Sequence, residues 1–185
     1  MTEHRWGDPE IREWTVVGGL LVIGSQGDRG SEQILMVANR RRGGAVEWTP
    51  PGGVVDPGEV SLDALTREVV EETGLVVDGW TGPCYRVWVD FPDRKMRLDV
   101  VVHRAVSWSG VMALDDPDGI VEDARFVDAG EVDALVATAP LWVREPLGAW
   151  MVDPVRDQCG EHGFIARGLR ADELVVERVV DQSGT

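Results

Sequence analysis

Between Asp56 and Glu72 the chain carries six carboxylates, Asp56, Glu59, Asp63, Glu68, Glu71 and Glu72, against a single cation, Arg67. Like charge at this density repels itself unless a cation is supplied from outside. Glu68, Glu71 and Glu72 stand at i, i+3 and i+4, so on a helix their side chains fall on one face. Clustered carboxylate oxygens suit hard divalent cations, and Mg²⁺ is commonly held by a few carboxylates together with substrate phosphates. The plainer reading of a glutamate run is a solvated acidic face. That reading leaves the Pro50-Pro51-Gly52-Gly53 approach unexplained.

The elements that must position these side chains are a loop and the helix it feeds. Pro50, Pro51, Gly52, Gly53, Pro57 and Gly58 punctuate the loop, Ser61 is a candidate N-cap, and Gly74 suits the left-handed residue that ends a helix. Leu62, Leu65 and Val69 recur at offsets of three and four and predict one apolar stripe facing a core, with the glutamates beside it.

Gly53, five residues, Glu59, seven residues, then Arg67-Glu68-Val69-Val70-Glu71-Glu72-Thr73-Gly74-Leu75 resembles the Nudix box at each of its defining positions. Trp48, Pro51, Gly52 and Gly53 resemble the Trp-x-x-Pro-Gly-Gly lead-in common in that family, with Pro50 where a large apolar residue is more usual. The resemblance implies an α+β fold, a Nudix-type α/β/α sandwich with a mixed β-sheet. It also implies a Mg²⁺-dependent pyrophosphohydrolase, with Mn²⁺ as the alternative metal, that cuts the diphosphate of a nucleoside diphosphate linked to another group. Glu71 and Glu72 would be metal ligands, and Glu68 a third ligand or the base that takes the proton of water. The backbone oxygen of Gly52 would join the metal shell. Arg67, at i−4 from Glu71, would complete the catalytic set in an electrostatic role, while the role of Glu59 stays open. The family places an acidic residue near the strand around Phe126, and Glu122, with Asp123 behind it, is the local match. Many relatives are dimers, so a homodimer is compatible. Two other functions share the fold: a nucleotide-sensing module without hydrolysis, and an isomerase of prenyl diphosphates. The first would suit a box that had lost its glutamates, and the second needs a catalytic cysteine and metal histidines that Cys84 and three scattered histidines poorly supply.

Asn39, Arg40, Arg41 and Arg42 form the most basic spot of an acidic chain. Guanidinium groups bind phosphate oxygens well, which makes Arg40 and Arg42 the candidate substrate contacts. The net charge of −15 over 185 residues argues against a nucleic-acid partner or an anionic membrane surface, both of which need a basic patch. A phosphate ligand survives this argument, because a bound metal reverses the local sign. Cys84 and Cys159 form neither a zinc motif nor a disulfide framework. With no apolar run at the N-terminus and none of 18 residues elsewhere, a cytoplasmic enzyme is the expectation.

In order, residues 1–12 read as an arm and 13–185 as one domain whose C-terminal segment has no assigned structure. Trp14–Gly24 reads as a buried strand, with Gly18 and Gly19 marking a bulge or a close backbone approach, and forms a hairpin with Gln33–Ala38 across a turn at Ser25–Ser31. Val76–Phe91 and Lys95–Val106 predict a second strand pair around Pro92-Asp93-Arg94. Asp115–Gly119 is a loop signal and Glu122–Val127 another strand. A helix opens over Glu131–Val136, pauses at Pro140 and resumes through Leu141–Met151. Gly163–Val180 suits two short strands or a strand and a helix.

Overall fold

A computed structural model of the chain describes residues 11–24, 32–114, 117–153 and 159–179. The turn at Ser25–Ser31, and most of the arm at 1–12, lie outside these residues. The apolar run that begins at Trp14 does not remain in one sheet. It starts as β1 (Arg12–Leu20), steps across at Leu21, and continues as β2 (Val22–Ile23) in a second sheet. Only β2 forms the expected antiparallel pair with β3 (Gln33–Arg40). β1 lies between β7 (Met96–Ser109), parallel to it, and β5 (Gly52–Val54), antiparallel. The switch follows from burial on both sides. Leu20 and Leu21 are both fully buried and belong to different core clusters, so no single half-exposed hairpin could cover the run.

The six-stranded sheet runs β10-β9-β6-β7-β1-β5. It is built with β6 (Val76–Phe91), β9 (Gly160–Arg167) and β10 (Val175–Val179), and it is mixed because β1/β7 and β6/β9 are parallel. In the second sheet β3 pairs with β2, with β4 (Val46–Thr49) and with β8 (Val121–Asp128). The C-terminal segment therefore resolves as two antiparallel strands, β9 and β10, joined through a 3₁₀ turn at Ala171–Glu173.

Helices cover both faces of the six-stranded sheet. On one face α1 (Ser61–Thr73) buries Ala64, Leu65 and Val69 against Val17, Leu21, Leu35, Val77 and Ala105. On the other, α3 (Leu141–Val152) sets Leu147, Trp150 and Met151 against Val87, Val89 and Phe164, after the short α2 (Val132–Leu135). Successive residues of a strand face opposite sides, and β6 shows it: Tyr85, Val87, Val89 and Phe91 all enter the α3-side core. The α+β sandwich expected from the sequence is the architecture observed.

Two local expectations change. The N-cap of α1 is Val60, with no side-chain cap, and Ser61 is the first helical residue. The amide groups of Asp63 and Ala64 both bond the Val60 carbonyl at 3.0 Å, which starts the helix one residue early. Leu62 is largely exposed, and the inward stripe instead runs Leu65, Val69, Glu72, with Ala64 and Thr73 beside it. A carboxylate thus occupies a core position of the helix. Gly74 ends the helix at φ 71°, as expected of a left-handed cap. Among the described residues no helix is long and apolar enough to cross a membrane.

Leu65 is fully buried where α1 meets the sheet. Leu65→Ala should cost roughly 2–5 kcal/mol of unfolding free energy, measured by urea denaturation. A cost below about 1 kcal/mol would mean that α1 is not anchored by this contact.

Candidate active site

The carboxylates of the loop and of α1 are organised by Arg67. Its Nε donates to Glu59 Oε1 and its Nη2 to Glu59 Oε2, both at 3.0 Å, a bidentate pair. Nη1 donates to Glu68 Oε1 at 2.9 Å and to Glu71 Oε2 at 3.1 Å. Glu59 also accepts the Asp56 backbone N–H at 3.1 Å, so the loop is tied to the helix through one carboxylate. The ion pair expected at i, i+4 between Arg67 and Glu71 is present, inside a larger network.

Glu72 is held differently. It is 5% exposed, and its Oε2 accepts the Gly52 backbone N–H at 2.9 Å. Glycine is required on this approach. Gly52 has φ 151°, and a Cβ there would fall on the Val17 carbonyl, while one on Gly53 would fall on the Glu68 carboxyl. β5 therefore lies flat against α1 and delivers a backbone donor to one glutamate and bare Cα surface to another.

Glu59 and Glu68 share the same guanidinium and respond in opposite directions. Arg67, foremost through its hydrogen bonds, lowers the pKa of the half-buried Glu59. Burial raises that of Glu68; Arg67 pulls it back, and the neighbouring charges of Glu71 and Asp118 push it up again. The site thus carries more negative charge than its one arginine offsets at Glu68.

Among the described residues no three His, Cys, Asp or Glu side chains form a ready metal cage. The expected convergence of Glu68, Glu71 and Glu72 on one point is altered by Arg67, which stands between the first two, and by Gly52, which engages the third. The donor chemistry nevertheless fits a hard divalent cation. Every donor is oxygen, and Glu68 lacks full compensation. A site completed by substrate phosphates needs no preformed cage.

Other expected residues fall elsewhere. Glu122, matched to the family's acidic position, forms an ion pair with Arg40, and these two candidate residues neutralise each other. The reason is a bulge: Ala38 faces Asp123 and Asn39 faces Val121, which leaves Glu122 as the extra residue of β8. Arg41 pairs with Glu47 at 2.7 Å. Arg42 is exposed in the turn between β3 and β4, and nothing brings it to α1. Asp118, in the Asp115–Gly119 stretch read only as a loop, adds the smallest of the charge effects that raise the Glu68 pKa, after Glu71. The density of aspartates in that stretch was the available signal.

Residues 14–147 match the model of a family described as NUDIX domain. Among curated proteins, the chain is 32% identical over 77 residues to an RNA pyrophosphohydrolase of Brucella anthropi, covering 40% of this chain and 44% of that protein. It is 56% identical over 32 residues to a bis(5'-nucleosyl)-tetraphosphatase of Rattus norvegicus, covering 17% and 22%. The matched segments span between 22% and 44% of the lengths of the curated relatives. Among solved structures, a MutT protein from Bacillus halodurans superposes with a TM-score of 0.61 over 89% of this chain and 97% of that one, at 20% identity, a likeness of fold.

The charge balance makes a pH-dependent test. The lowered pKa of Glu59 means that its bond to Arg67 stabilises the fold above the ordinary glutamate pKa and ceases to do so as pH falls through the folded value. Arg67→Gln should therefore lower the melting temperature at pH 7 in chelator, with a deficit that shrinks as pH drops below about 4. A deficit of the same size at both pH values would show that the loss is one of packing.

Proposed function

This chain belongs to the Nudix family, and on that premise we propose that it is a divalent-cation-dependent hydrolase of phosphoric anhydride bonds, cutting the diphosphate of a nucleoside diphosphate linked to another group. The observation that carries this reading is Glu72, a carboxylate buried at a core position of α1 and fixed by the Gly52 N–H. Burying a charge this way is costly, and a fold that only needed a helix there would use an apolar residue.

A pyrophosphate resists attack because its oxygens repel the nucleophile. A bound Mg²⁺ or Mn²⁺ neutralises those oxygens and lowers the pKa of water. Glu71, Glu72 and the Gly52 carbonyl would hold the ion. Arg67 orients Glu71 and limits its repulsion from Glu68 through the two Nη1 bonds. Glu68, with its pKa raised mainly by burial, would either join the ion as a third ligand or accept the proton of the attacking water as water oxygen bonds to phosphorus and the P–O anhydride bond breaks. Gly53 keeps the space beside that carboxyl open.

A panel of nucleoside diphosphate derivatives with Mg²⁺ or Mn²⁺, read by product analysis, tests the reading. Glu71→Gln and Glu72→Gln should each lower turnover by roughly a thousandfold or more, while thermal melts show both variants folded. Wild-type turnover in either variant would refute the assignment. Nucleotide binding without phosphate release by the unaltered protein would support the sensing module instead.

A further inference from the structure

Asn39, near the end of β3, has a buried polar atom without a hydrogen-bond partner among the described residues. The residue is 5% exposed; its Nδ2 donates to Thr49 Oγ1 across a long 3.4 Å, and its Oδ1 meets no donor among the described residues. A buried carbonyl without a donor destabilises the fold that contains it. An asparagine kept for structure would have both ends of its amide tied.

The surroundings join Asn39 to the carboxylate cluster from two directions. Thr49 leads through Pro50 and Pro51 to Gly52, whose N–H holds Glu72. On the other side the backbone N–H of Arg40 bonds the Ile120 carbonyl at 2.8 Å, two residues from Asp118, one of the charges that raise the Glu68 pKa. Strand alternation agrees. Ile34 and Met36 enter the α3-side core and Leu35 the α1-side core, so Asn39 shares the side of Leu35.

We propose that Asn39 is a substrate-recognition residue of this site, its Oδ1 accepting a hydrogen bond from an O–H or N–H group on the nucleoside part of the bound nucleotide. The proposal rests on the hydrolase reading above. Diphosphate oxygens bound to a divalent cation act as acceptors and cannot fill the position, whereas sugar hydroxyls and base amines can. The amide is uncharged, so it selects a neutral donor without adding to the negative charge around Glu68.

The test compares wild type with Asn39→Leu, close in size and without the amide, in two measurements. The melting temperature of the ligand-free variant should rise by about 2–4 °C, because the unsatisfied oxygen is gone. Calorimetry with ADP and Mg²⁺ should show Kd raised roughly tenfold in the variant. Against wild type, 2′,3′-dideoxy-ADP binding as weakly as ADP binds the variant assigns the partner to the sugar; the same weakness with IDP assigns it to the base amine. Should the leucine not be accommodated, Asn39→Ala carries the same binding expectation. Unchanged ADP affinity in a folded Asn39→Leu or Asn39→Ala variant overturns the proposal and leaves Asn39 a structural residue. Wild-type protein that neither binds nor hydrolyses any nucleotide of the panel overturns the hydrolase reading itself.

Discussion

One guanidinium holds the loop and the helix of this site together. Arg67 reaches three glutamates, and the separation of their environments does the rest. Glu59 takes two hydrogen bonds from the shared cation, which favour its charged form; Glu68 takes one, and burial outweighs it. A single positive charge thus stands beside one carboxylate whose pKa is lowered and another whose pKa is raised. Chemistry that needs both a fixed scaffold and a proton acceptor gains from that asymmetry.

The asymmetry depends on how closely backbone can approach the helix. β5 is a three-residue strand hydrogen-bonded to β1, and both its glycines stand where a side chain would collide. Their bareness brings the Gly52 N–H within 2.9 Å of Glu72 and lets Glu68 lie against Gly53. β1 serves this arrangement from beneath: Gly18 is in contact with Val102, and Gly19 lies against Trp80 and Leu65. The close backbone approach read from that glycine pair is what the strand provides.

The helix, its left-handed cap, the long β6–β7 hairpin and the late helices were legible because each rests on local signals, periodicity or Gly and Pro chemistry. What stayed hidden depends on pairing between distant segments. Nothing around Leu21 marks a change of sheet, since an apolar residue buried on both sides looks alike in one sheet or two. The ion pair of Arg40 with Glu122 follows from a bulge that only the β3–β8 register reveals. The effect of Asp118 on Glu68 was hidden for a similar reason, because a stretch rich in Asp, Pro and Gly reads as a turn whatever lies near it. Within the box, spacing placed Glu68, Glu71 and Glu72 on α1 but could not say that Glu72 would sit in the apolar stripe and Leu62 outside it.

The two parallel pairings have a consequence for how the chain reaches its native state. β1 is aligned with β7 about eighty residues later, and β6 with β9 about as far again. Such long closures make for slow folding. The α3-side face of β6, with Val87, Val89 and Phe91, has neither α3 nor β9 to cover it until those later elements have been made, so the nascent protein exposes these residues while the intervening segment is synthesised. Chaperone dependence during translation, more than the stability of the finished fold, would then govern how much of this protein a cell accumulates.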